Sequence, residues 1–106
     1  MISMKPEEVA EQVIYQFVKK IHSEELEKRN KSSLTHEEIV QLVNTTYEEK
    51  EKSLRHRIKS AIKKLCTPEE IGSDEATEKL LKRIFEDPEF NKTKIIQEVE
   101  IQQKIK

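Results

Sequence analysis

The chain has 106 residues, 39% charged and 34% hydrophobic, with a mean hydropathy of −0.82 and a formal net charge of −1. One glycine, three prolines and no tryptophan exclude a turn-dense β fold and a Pro/Gly-rich linker; Glu, Lys, Leu, Ile and Gln dominate and favour helices. The length fits one domain, 1–106, with a lean core.

The first element follows Pro6, which tolerates the first helical position because its missing N–H has no partner there. Glu7 and Glu8 complement the positive helix end. Val9, Ala10, Val13, Ile14, Phe17, Val18 and Ile21 then recur at spacings of three and four, the stripe of an amphipathic helix. The polar run Lys28–Ser33 ends it.

Thr35-His36-Glu37-Glu38 fits a capping box, with Leu34 and Ile39 placed as a hydrophobic staple. Val40, Val43, Tyr47, Leu54, Ile58, Ala61, Ile62 and Leu65 share one face after it. The spacing predicts a continuous or kinked helix over 36–65. Asn44-Thr45-Thr46 is a poor helix interior, and Thr46-Tyr47-Glu48-Glu49 matches a second capping box, so a break there is the alternative. Thr67-Pro68-Glu69-Glu70 starts a short turn that Gly72 and Ser73 end. A further helix begins near Asp74, carries Ala76, Leu80, Leu81, Ile84 and Phe85, and stops at Asp87-Pro88. Phe90 anchors the next turn, and Ile95, Ile96 and Val99 open a last helix extended by Ile101 and Ile105. The predicted fold is all-α: a small bundle of two long antiparallel helices in a hairpin over about 6–66, followed by two shorter helices over about 74–105.

The two signs of charge are segregated. Residues 50–66 carry seven Lys/Arg against one Asp/Glu, whereas 1–49 carry six against ten and 67–106 carry seven against ten. On a helix, Lys52, His56, Lys59 and Lys63 form one stripe bordered by Arg55, opposite Leu54, Ile58 and Ile62. This stripe is a candidate polyanion-binding surface. The competing expectation is a solvated face paired with the acidic flanks. Residues 34–58 also carry a helix-turn-helix-like pattern, with Asn44–Thr46 as its turn and the basic helix 50–64 as its reader. Lys50 and Ser53 occupy places where that motif needs apolar packing.

No catalytic or ligand signature is present, and an enzyme is not expected. A single glycine cannot build a phosphate-cradling loop. His22, His36 and His56 lack metal-ligand spacing and are expected on polar faces; neither metal nor cofactor is implied. Cys66 stands alone, excluding an intramolecular disulfide, and is expected as a small buried hydrophobe at a helix end. The opening residues lack the apolar run of a signal peptide, and no stretch approaches the ~18 apolar residues of a membrane span. These features predict a cytoplasmic protein. Thin amphipathic stripes predict a protein–protein interaction module that docks a partner helix or self-associates. Candidate interface residues are Tyr15, Phe17, Val18 and Ile21 on the first helix and Val43, Tyr47, Leu54 and Ile58 on the second, most of them expected in the chain's own core. Nucleic-acid binding through the basic helix is the alternative.

Overall fold

A computed structural model describes residues 4–87 and 90–105. Among the described residues the chain is all-α, with α1 (Pro6–Arg29), α2 (His36–Glu49), α3 (Glu51–Leu65), α4 (Pro68–Ile71), α5 (Asp74–Glu86) and α6 (Lys92–Ile105). None of these helices is long and apolar enough to cross a membrane.

Local chemistry sets most boundaries. Pro6 occupies the first turn of α1. The helix ends in a Schellman motif, with Asn30 left-handed at φ 53° and ψ 47°. The Asn30 N–H donates to Glu27 O at 3.2 Å, and the Lys31 N–H to Leu26 O at 3.0 Å. These bonds satisfy carbonyls that α1 would otherwise leave open. Both capping boxes at Thr35 and Thr67 form. The Glu38 N–H donates to Thr35 Oγ1 at 3.2 Å, and the Thr35 N–H to Glu38 Oε1 at 2.9 Å. The equivalent Glu70 and Thr67 bonds measure 3.3 and 3.0 Å. Gly72, at φ +71°, adopts a conformation that L side chains resist, and it ends α4. Ser73 caps α5 by accepting from the Ala76 N–H.

Residues 36–65 form two helices that meet at Lys50. The break falls neither at Asn44–Thr46 nor at the Thr46 capping-box match. Thr46 is buried inside α2, and its hydroxyl donates to Leu42 O at 2.8 Å, so it caps nothing. This also removes the turn of the helix-turn-helix-like pattern. Glu48-Glu49-Lys50-Glu51-Lys52 contains no apolar side chain to hold the helix against a core. Lys50 departs to φ −110° and ψ 17°. Its N–H still donates to Thr46 O and its carbonyl still accepts from the Leu54 N–H, both at 2.9 Å. The result is a bend rather than a loop.

α1 packs chiefly along α3 and also meets α2; α6 lies against α2 and α1, and α5 against α3. The Cα extents are 45 × 30 × 20 Å, and the thinnest accommodates two helices of about 10 Å diameter. Core side chains come from every helix except α4. They include Val9, Ile14 and Val18 of α1, Ile39 and Val43 of α2, and Leu54, Ile58 and Ile62 of α3. Leu81 and Ile84 of α5 and Ile95 of α6 complete the centre.

Buried and half-buried polar ties fasten α6. The Tyr47 hydroxyl donates to Asn91 Oδ1 at 2.6 Å, with both residues buried. Gln103 clamps the α1–α2 loop: its Oε1 accepts from the Leu34 N–H at 2.8 Å, and its Nε2 donates to Leu34 O at 3.1 Å. His22 Nε2 contacts the same Gln103 Oε1 at 2.7 Å. His22 is therefore buried at the α1–α6 contact and does not lie on the polar face expected for it. His36 and His56 are exposed. Cys66 caps the end of α3, buried, and its thiol donates to Met4 O at 2.9 Å.

Candidate functional site

The side of α1 that faces away from α6 carries an open groove of about 700 Å³. Every lining residue belongs to α1 or α3, apart from Lys50 at the bend; neither α5 nor α6 contributes. Val13, Phe17 and Ile21 of α1 and Leu65 of α3 form its apolar part. The first three are half-buried, and Leu65 is 50% exposed. Gln12, Gln16, Lys20 and Glu24 line one edge, and Lys50, Ser53 and Arg57 the other. The lining therefore carries three cations against one carboxylate. From Val9 to Glu24 the groove follows α1 for about 22 Å at 1.5 Å per residue.

The Arg57 guanidinium lies 5.1 Å from the centroid of the Phe17 ring. A cation over an aromatic face is held electrostatically by the ring quadrupole, and here it fixes one wall of the groove. A second groove, lined by Glu25, Arg29, Leu34, Glu38, Leu42 and Glu49 among others, adjoins the first and shares Ile21 and Lys50 with it. The bend at Lys50 marks the place where they meet.

The basic stripe splits in its environment. Arg55 pairs with Glu51 at 2.8 Å and lies 5.1 Å from the Phe85 ring, so it belongs to the α3–α5 contact. Lys59 pairs with Glu78 of α5 at 2.5 Å, and that bond holds the Glu78 carboxyl below its usual pKa. Lys52, His56 and Lys63 are exposed with no acidic partner among the described residues. The acidic flanks thus neutralise only part of the segment. Lys50 and Lys64 are likewise exposed and unpaired among the described residues.

The candidate interface residues separate in the same way. Val18, Val43, Tyr47, Leu54 and Ile58 lie in the chain's own core. Tyr15 is half-buried, beside a small recess with His22, Leu26, Val99 and Gln103. Phe17 and Ile21 remain at the groove. Val13, Lys20, Lys50, Arg57 and Leu65 complete that surface and were not among the sequence candidates. Leu65 continues the apolar stripe of α3, but periodicity alone cannot show that the stripe outruns the helices available to cover it.

No known protein family, curated protein or solved structure matches the chain. Among the described residues, no group of three or more His, Cys, Asp or Glu is placed to hold a metal ion.

The groups with displaced titration serve structure. Burial, with the Glu70 and Glu8 charges adding, pushes the Cys66 thiol above its usual value, away from thiolate reactivity. Burial and the Glu11 charge push the Tyr47 phenol up. Lys94 Nζ pairs with Glu11 at 3.2 Å and is raised by that bond. Glu98, beside Glu11 on the α1–α6 contact, is raised by burial and by its hydrogen bond to Glu11.

Proposed function

We propose that this protein is a helical interaction module that receives an amphipathic helix of another protein in the α1–α3 groove. The supporting observation is the open apolar strip of Val13, Phe17, Ile21 and Leu65, bordered by Lys20, Lys50 and Arg57. A helix laid there buries its own apolar stripe on the strip, in the helix-in-groove manner. Three cations against one carboxylate favour a helix with Glu or Asp flanking its stripe. The groove, about 22 Å long, matches about four helical turns. The proposed location is the cytoplasm, where an unpaired thiol such as Cys66 stays reduced.

The test uses the full chain and a synthetic four-turn helix with a leucine stripe flanked by glutamates. Amide NMR shifts are expected to change along the groove-facing residues of α1 and α3 and to leave α5 and α6 unaffected. The same peptide with lysines for glutamates is expected to bind at least tenfold less tightly. No shift with either peptide, or shifts centred on α6, overturns the reading. Sedimentation across a range of concentrations provides the second arm. A rise in mass that Leu65→Ser abolishes would place a second copy in the groove and displace the partner reading.

A further inference from the structure

The outward face of α3 carries a second pattern, which shares Lys50, Ser53 and Arg57 with the edge of the groove and extends away from it through His56, Ser60, Lys63 and Lys64. At 3.6 residues per turn, Lys52, His56, Lys59 and Lys63 form one row and Lys50, Arg57 and Lys64 another. Ser53 and Ser60 lie on the line between them. All nine residues are exposed. The spacing repeats every seven residues, or about 10.5 Å, and the row from Lys50 to Lys64 runs about 21 Å. Ser60 is the centre of the pattern. Its helical neighbours three and four residues away are His56, Arg57, Lys63 and Lys64. A group above the Ser60 hydroxyl thus meets a hydrogen-bond donor inside a ring of cationic and titratable side chains.

Of the seven side chains in the two rows, only Lys59 is ion-paired among the described residues, to Glu78; Arg57 rests on Phe17. Lys63 and Lys64 lie in the last turn of α3 and also serve its dipole, but that effect fades beyond the last turn and does not account for Lys50, Lys52, His56, Arg57 and Lys59.

We propose that this face binds the sugar-phosphate backbone of duplex nucleic acid without reading its sequence. The composition of the strip selects this ligand over an acidic protein helix. No apolar side chain lies between the two rows, so an acidic helix would find nothing to bury there. A phosphate chain needs only cations and hydroxyl donors. The strip carries no Phe, Tyr or Trp, and His56 is its single ring, so a run of unpaired bases has no stacking platform and a single strand gains no advantage. The two sites share Lys50, Ser53 and Arg57 at the groove edge but are separable by mutation: Leu65→Ser removes apolar floor from the groove and leaves both cationic rows intact, and Lys63 and Lys64 lie outside the groove.

The experiment is fluorescence anisotropy of a labelled duplex of mixed sequence with the full chain, from about 20 to 200 mM salt. About four or five phosphate contacts predict a slope of log K against log salt near −4. Lys63→Gln and Lys64→Gln are each expected to reduce that slope by about 1. Ser60→Asp puts a negative charge at the centre and is expected to weaken binding at least tenfold, with circular dichroism unchanged. Lys82→Gln on α5 is the control and should bind like the parent chain. No duplex binding at the lowest salt overturns the proposal. So does a Ser60→Asp chain that binds as the parent does, retention by heparin with no duplex bound, or tighter binding to a single strand than to the duplex.

Discussion

The two sides of α1 differ in what they are given to hold. On one side, α6 arrives with specific polar ties: Gln103 grips both backbone groups of Leu34, and Tyr47 bonds Asn91 in a buried pair. On the other side, Val13, Phe17 and Ile21 line a groove shared with α3, and the strip they form with Leu65 stays open. The same amphipathic helix is thus finished on one flank and unfinished on the other. Exposed apolar surface is common on proteins, and its extent alone is no functional argument. What distinguishes this flank is its cationic border, beside a helix face whose lysines are mostly unpaired among the described residues.

Mutations that test this contrast should cost stability on the finished side and leave it nearly unchanged on the open one. The largest effect is expected from Leu54→Ala, at a fully buried position where α3 rejoins the core after the Lys50 bend. Removing the side chain leaves a cavity worth about 3 kcal/mol, read by urea denaturation. A loss below about 1 kcal/mol would mean that α3 is not anchored there. Next is Tyr47→Phe, which leaves the buried Asn91 carbonyl oxygen without its donor. The expected loss is about 1.5 kcal/mol. Hydrogen exchange should report it first in α6, because the bond ties α2 to the start of that helix.

A smaller effect, confined to acid, is expected at the start of α2. Hydrogen bonding from the Thr35 N–H, followed by Lys31, lowers the Glu38 carboxyl to about 2 from its usual 4.5. A depressed carboxylate stabilises the fold above the unfolded value, and that contribution is lost as pH falls through the folded value. The Glu38 contribution is therefore complete above pH 4.5 and fades toward about 2. Glu38→Gln keeps a side-chain acceptor for the box but removes the charge. The gap in melting temperature between the two chains should be constant at neutral pH and close over this window. A gap that persists at the acid end would assign the effect to packing.

The fold was legible where the deciding chemistry is local. Thr35 with Glu38, Thr67 with Glu70, Pro6, Ser73 before Asp74, and the stop at Asp87 all act within a few residues and leave a mark in the sequence. The bend at Lys50 was not, because it depends on tertiary demands. α2 serves α6 while α3 serves α1 and α5, and the apolar stripe alone does not reveal that its halves have different customers. Thr46 misled for a related reason: its hydroxyl can cap a following helix or bond back to Leu42, and burial decided for the latter. His22 was misjudged because its partner, Gln103, lies 81 positions away. For the candidate site, the cationic row was readable from helical spacing. Its pairing across helices was not, since Lys59 finds Glu78 only once α5 is in place, whereas the Arg55–Glu51 pair is local to α3.

The smallest expected effect sharpens the contrast most. Leu65 ends α3 half-exposed, with its side chain on the groove. Leu65→Ser removes apolar area that the fold covers only in part, so the stability change should stay within about 0.5 kcal/mol. If the residue served the fold alone, nothing else would change. If the open flank is a docking surface, the same substitution should weaken binding of the glutamate-flanked helix several-fold while duplex binding on the outward face of α3 stays as it was. A loss of stability comparable to that of Leu54→Ala would instead show that the strip is core, and that α1 is finished on both sides.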